Sequence, residues 1–243
     1  HSVTASTEEL RKAIGDIPDV AQRATSSLSN MGSFALALNS SIEVVGRLQD
    51  VISGIADDFN AFDKGMRAVN TMAGESKEGL SLLTGQVEEL ANTIPLAKEE
   101  LASGLYQVIS NGVPKDNWIA FLEQSSKSAV GGIADLGQTV TVTSTLIKNY
   151  GLEWSEAAAL QDKIQTTAKN GVTSFEQLAQ ALPRVTGNAA TLGVTVDELM
   201  ASFATLTGVS GNTNEVSTQM AAIFTALVKP SSEATEMAQA MGI

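Results

Sequence analysis

Four times in this chain a glycine followed by an apolar residue interrupts a helical pattern: Gly112-Val113, Gly151-Leu152, Gly171-Val172 and Gly193-Val194. A glycine just past the last turn of a helix enters the left-handed conformation without a Cβ clash, and the apolar residue behind it packs back on the helix just ended. Each pair therefore predicts a helix stop followed by a helix start. Thr173 with Glu176 and Thr195 with Glu198 stand two residues after their glycines as T-x-x-E capping boxes, whose side-chain oxygens take free N–H groups of a new first turn. The intervals of 39, 20 and 22 residues between the glycines are too uneven for a solenoid.

Between the stops, Ala, Leu, Glu, Gln and Met recur at spacings of three and four, while period-two alternation is confined to Thr139–Val142. This is the helical period rather than the strand period. The fold class is all-α, with an N-terminal long amphipathic helix or helical arm (1–74) followed by a compact bundle of short helices (75–243). Pro95, Pro114, Pro183 and Pro230 mark helix starts or kinks in the bundle.

Ser6 and Glu9 form a capping box for a first helix in the arm, which Pro18 ends or kinks. A longer helix follows from Phe34 to Met72. Its apolar residues Leu48, Ile52, Ile55, Phe59, Phe62, Met66 and Val69 follow steps of 4, 3, 4, 3, 4, 3, the seam of a coiled coil. Gly46, Gly54 and Gly65 lie inside this span and each weakens the helix by about 1 kcal/mol relative to Ala. The seven apolar residues are the candidate self-association seam, whose partner is either the preceding helix of the same chain or the same seam in another copy.

Of the 243 residues, 43% are hydrophobic and only 17% are charged, with a mean hydropathy of +0.07. Soluble domains carry about 25% charge, so part of this surface is expected to be covered by a partner or by other copies. The net charge of −12 leaves 15 scattered basic residues, with Arg11-Lys12 the sole adjacent pair. Phosphate binding needs a basic stripe, which argues against nucleic acid and anionic membrane. No run of about 18 apolar residues is present to cross a membrane. The start lacks the pattern of a signal peptide, and an opening of His1-Ser2 in place of Met reads as an excised piece with a tag remnant.

Chemistry is equally constrained. There is no cysteine, and His1 is the only histidine, so thiol nucleophiles, Ser-His-Asp triads and His-ligated metals are excluded. The acidic pairs Glu8-Glu9, Asp57-Asp58, Glu88-Glu89 and Glu99-Glu100 point about 100° apart on a helix and read as solvated faces. Gly132 to Thr139 has the spacing of a phosphate loop but carries Gln138 where lysine is required. Its glycines are expected to let helices approach or to end one. Ser128 to Ile147, with Asp135 its only charge, reads as a buried core helix. Trp118 and Trp154 follow helix boundaries and are expected to plug gaps in the bundle. No catalytic, metal or cofactor-binding residue is expected, and the chain is not read as an enzyme.

The order of several blocks resembles a known family. FDKGMRAVNTMAG (Phe62–Gly74) resembles the segment opening the core region of phage tail tape measure proteins. YGLEWSEAAALQDKIQTTAKNGVTSFEQLAQALPRV (Tyr150–Val185) is similar to the central part of that region, Gly193–Leu199 to the next element, and ALVKPSSEATEMAQAMGI (Ala226–Ile243) to its close. The loop Gly208–Glu215 departs from the glycine-rich pattern often found there. The resemblance covers about Phe59 to Ile243. It implies a structural and assembly protein of the virion tail lumen, assembled in the host cytoplasm, that helps set tail length. The implied partners are other copies, tail tube, tail-tip and tail assembly chaperone proteins. An α-helix rises about 1.5 Å per residue, which suits a ruler, although this chain is too short to be the ruler itself. A helical-bundle surface or secreted interaction protein is the alternative, and a cell-wall hydrolase module is a third reading for which no acid, base or metal is found.

Overall fold

The computed structural model describes residues 60–241, which lie in a compact unit spanning Asn60–Ile243. The expectations for Ser6–Glu9, Pro18, the start of the long helix and the seam residues Leu48, Ile52, Ile55 and Phe59 fall outside the described residues. Among the described residues every regular element is an α-helix or a 3₁₀ turn. In chain order they are α1 (60–73), α2 (Lys77–Thr93), α3 (Lys98–Ser110), α4 (Trp118–Gly132), α5 (Leu136–Tyr150), α6 (Ala157–Asn170), α7 (Phe175–Ala181), α8 (Thr186–Thr191), α9 (Val196–Ser210), α10 (Thr213–Val228) and α11 (Ser232–Ala240). Short 3₁₀ turns precede α4, α6 and α8, with Pro114 and Pro183 at or inside two of them.

Helix α5 is the hub of the bundle, packing against α3, α4, α6, α7 and α8. Its apolar and small polar residues leave almost no charge to desolvate, and Leu136, Thr139, Val140, Val142, Thr143, Ser144, Leu146 and Ile147 are all buried. The alternating stretch Thr139–Val142 thus lies in a helix, because burial on several sides replaces the usual single apolar stripe. The single core helix expected from Ser128 to Ile147 is instead the end of α4 and most of α5, divided at 133–135. Asp135 makes the division, accepting the Gln138 N–H at 2.8 Å as the α5 N-cap.

Three of the four glycine stops behave as expected. Gly112, Gly151 and Gly193 have φ of +74°, +63° and +77°, and the next residue's N–H reaches back to the helix in each case: Val113 to Val108, Leu152 to Ile147 and Val194 to Ala189. Gly171 departs from the pattern, with φ −105° and ψ −177°. A different constraint keeps it glycine: a Cβ there would lie 2.4 Å from Thr207 Oγ1 and 3.2 Å from the Ala204 backbone, so it is the point of closest approach of α6 to α9. Left-handed stops also fall at Gly74 and Gly211, and one more uses Ile133, at φ +50° and 88% exposed. Nothing in the structure explains this β-branched residue in a left-handed position.

The capping boxes are also half as read. Thr195 and Glu198 cap α9 reciprocally, but α7 is capped by Ser174 with Gln177, one residue after the expected pair. Thr173 instead accepts a hydrogen bond from the Thr213 hydroxyl at 2.6 Å, tying the start of α7 to α10. Both tryptophans plug the bundle. Trp118 is buried and donates from Nε1 to the Val113 carbonyl at 2.8 Å, and Trp154 packs edge-on against Phe121 at 5.7 Å.

Candidate functional site

The lower part of the heptad seam is committed inside the chain. Phe62, Met66 and Val69 on α1 are 4%, 2% and 0% exposed and belong to the same core as Leu83, Val87 and Leu90 of α2 and Leu101, Ala102 and Leu105 of α3. Gly65 lets α1 lie close on α3, where a Cβ would come within 3.0 Å of the Ala102 Cβ. Lys98 sits 5.6 Å from the centre of the Phe62 ring and closes the edge of this contact. Gly74, with φ +64°, ends α1, and Asn70 clamps the turn by accepting the Glu75 N–H at 2.9 Å.

A second seam leaves the core uncovered. On α10, Val216, Met220, Ile223 and Leu227 follow steps of 4, 3 and 4 and lie on one face of the helix. Val216 and Met220 are buried, whereas Ile223 and Leu227 are 57% and 61% exposed, and no charge occurs from Val216 to Val228. Both stay exposed with α11 in place, and Met237 of α11 is exposed as well. Sequence reasoning passed over this face. Its signal was available as the uncharged run with helical spacing, but spacing alone does not say where a core ends.

Among the described residues no group of three or more acidic or histidine side chains is placed to hold a metal ion, and no helix is long and apolar enough to cross a membrane. Five of the eleven lysines and arginines among the described residues are drawn into ion pairs: Arg67 with Asp63, Lys98 with Glu88, Lys115 with Glu75, Lys127 with Glu123 and Lys163 with Asp197. The crevice between α6 and α9 is lined by Asp162, Lys163, Asp197 and Met200, and its lysine is already paired. Gly132 ends α4 where a Cβ would meet the Phe175 ring at 2.8 Å, so the phosphate-loop spacing marks a helix contact. Glu198 receives the Thr195 N–H and hydroxyl, both at 2.8 Å, which holds its carboxyl below the ordinary value. Burial, followed by the nearby Glu198 charge, pushes the Tyr150 hydroxyl up.

One buried polar cluster is well made. Gln161 of α6 accepts from Ser128 at 2.7 Å and donates to Ser125 at 3.1 Å and Thr143 at 3.2 Å, joining α4, α5 and α6. Buried and satisfied on both sides of its carboxamide, it fixes the register of three helices rather than binding a ligand.

Comparison with known proteins gives this geometry its context. The profile of the phage-related minor tail protein family matches residues 84–243. The chain is 26% identical to the probable tape measure protein of Clostridium phage phiCD119 over 145 residues, 58% of this chain. It is 20% identical to the tape measure protein of Pneumococcus phage Dp-1 over 184 residues, 76% of this chain. These alignments span only 15% and 16% of the two relatives' own lengths. No solved structure matches the chain. A family profile that covers more than half of the sequence, from the second half of α2 onward, places the chain in the phage-related minor tail protein family.

Proposed function

We propose that the chain is a structural and assembly fragment of a phage or prophage tail tape measure protein, helping to set tail length and to organise growth of the tail tube. The observation that supports it most is the family match over residues 84–243, together with two relatives that are themselves tape measure proteins. The helical bundle with an uncovered α10 seam suits a part that is held by neighbours rather than one that turns over a substrate. Its partners are other copies, tail tube, tail-tip and tail assembly chaperone proteins, and its place is the tail lumen after assembly in the host cytoplasm. The chain's net charge of −12 and its scattered lysines and arginines argue against direct nucleic acid binding.

In this proposal residues 1–74 act as an arm whose last part, from Asn60, packs into the core, and residues 75–243 as the core domain. Self-association through the seam rests on Leu48, Ile52, Ile55 and Phe59, because Phe62, Met66 and Val69 are already buried within the chain. Light scattering on Ile55→Asp with Phe59→Asp tests that contact: a multimer that becomes a folded monomer supports it, and a wild-type monomer at micromolar concentration rejects it. The wider role is tested in a phage carrying the parent gene. Loss of tails, or tails of irregular length, is expected when the core is broken by Val140→Asp, and normal tails of normal length would contradict the proposal.

A further inference from the structure

The chain contains two Asn-Gly pairs, Asn111-Gly112 and Asn170-Gly171, each at the end of a helix. An Asn-Gly pair is chemically labile because glycine offers no side chain to hinder attack by its own backbone nitrogen on the neighbouring carboxamide. The fold treats the two pairs differently. At Asn111 the carboxamide donates to the Gln107 carbonyl at 2.9 Å, and Lys148 Nζ donates to the Asn111 carbonyl at 3.2 Å. The Gly112 N–H donates to the Ile109 carbonyl and the Val113 N–H closes back on Val108. The carboxamide, the carbonyl and both following amides are thus held.

At Asn170 only one of these restraints is present. The Gly171 N–H donates to the Thr167 carbonyl at 3.0 Å. The side chain is exposed, with no hydrogen bond to it among the described residues, and Gly171 runs on in an extended conformation without the second back-bond. Release of one terminal helix bond, a low-cost fraying event, frees the nitrogen.

We propose that Asn170 is a site of spontaneous self-modification, converting to aspartate and isoaspartate, while Asn111 is protected by the fold. The Gly171 nitrogen attacks the Asn170 carboxamide carbon. A C–N bond forms to close a succinimide, the Cγ–Nδ2 bond breaks, and Nδ2 leaves as ammonia with the displaced proton. Water then opens the ring, at Cγ to give aspartate or at the backbone carbonyl to give isoaspartate. The net change is a neutral amide and water becoming a carboxylate and ammonium, with no oxidation or reduction. The new negative charge sits at the C-terminus of α6, where the helix dipole opposes it. The lengthened isoaspartyl backbone adjoins Gly171, at the closest approach to Thr207 and Ala204, so the product loosens α6 from α9.

Peptide mapping by mass spectrometry after incubation of the 243-residue chain at mildly alkaline pH, with digestion under acid conditions, reads both sites. Native chain is expected to convert at Asn170 several-fold faster than at Asn111, and chain unfolded in denaturant to convert at both with similar rates. Lys148→Ala, which releases the Asn111 carbonyl, is expected to narrow the difference. Equal native rates, faster conversion at Asn111, or an Asn170 that stays intact in native chain while the unfolded chain converts would each overturn the proposal.

Discussion

Helices α1 and α10 carry apolar seams of the same spacing and opposite fate. Phe62, Met66 and Val69 lie in steps of 4 and 3 and are buried. Val216, Met220, Ile223 and Leu227 lie in steps of 4, 3 and 4, and the second pair stands mostly in solvent. The difference lies in the neighbours. Helix α1 has α2 and α3 beside its seam, whereas α10 packs on α7, α8 and α9, with Asn188 of α8 still donating to Thr225 at 3.0 Å, and leaves the face of Ile223 and Leu227 in solvent in its last turns. A stripe of apolar residues thus specifies a face that wants a partner. The packing of the rest of the chain decides whether that partner is already present.

The largest effects are expected where the seam is covered. Val69→Asp introduces a carboxylate with no partner at a fully buried position, and a loss on the order of 3–4 kcal/mol is expected in denaturant unfolding. Leu227→Asp, of equal chemistry on the exposed seam, should stay within about 0.5 kcal/mol. Comparable losses at the two sites would break the comparison.

The next effect lies in the covered half alone. Gln161→Leu leaves the Ser125, Ser128 and Thr143 hydroxyls without their carboxamide partner, and a cost of about 1–3 kcal/mol is expected from buried groups left unpaired. An unchanged melting temperature would mean that the three helices hold their register without this cluster.

Caps give a smaller and sharper test. Thr195→Ala and Ser174→Ala should each cost about 1 kcal/mol, because their side chains accept the Glu198 and Gln177 N–H groups. Thr173→Ala should cost less than Ser174→Ala, since Thr173 caps no helix. The reverse order in thermal unfolding would place the α7 start one residue earlier.

The smallest effect is on acid stability. Glu198 has a lowered carboxyl value in the folded chain, so its charged form contributes stability above its unfolded value, and that contribution is lost as pH falls through the lowered folded value. The melting temperature of wild type should exceed that of Glu198→Gln at neutral pH, and the gap should close on acidification. A gap that grows in acid would contradict the assignment.

These elements also show how much the sequence carried. Backbone conformation was readable at Gly112, Gly151 and Gly193, because a left-handed stop depends on local sterics. At Gly171 the helix stop was legible but its conformation was not, because the constraint there is a contact with Thr207 and Ala204, more than thirty residues away in sequence. The α7 cap shifted from Thr173 to Ser174 because both hydroxyls suit the role locally and the distant Thr213 takes the first. Ser128–Ile147 was read as one helix because the stop at Ile133 lacks the glycine that marks the others. The seam on α1 was legible as a face, its burial by α2 and α3 was not, and the uncovered half of the α10 face was missed for the same reason.

The measurement that bears most directly on the contrast is native-state hydrogen exchange on the dilute chain, read along both seams. Covered backbone exchanges only through large openings of the fold, and uncovered helix ends exchange by fraying. Amides of 62–73 are predicted to exchange as slowly as those of α5, and amides of 223–240 to exchange early. Protection of residues 223–228 equal to that of α1 would show that the chain itself covers the second seam, and would contradict the account.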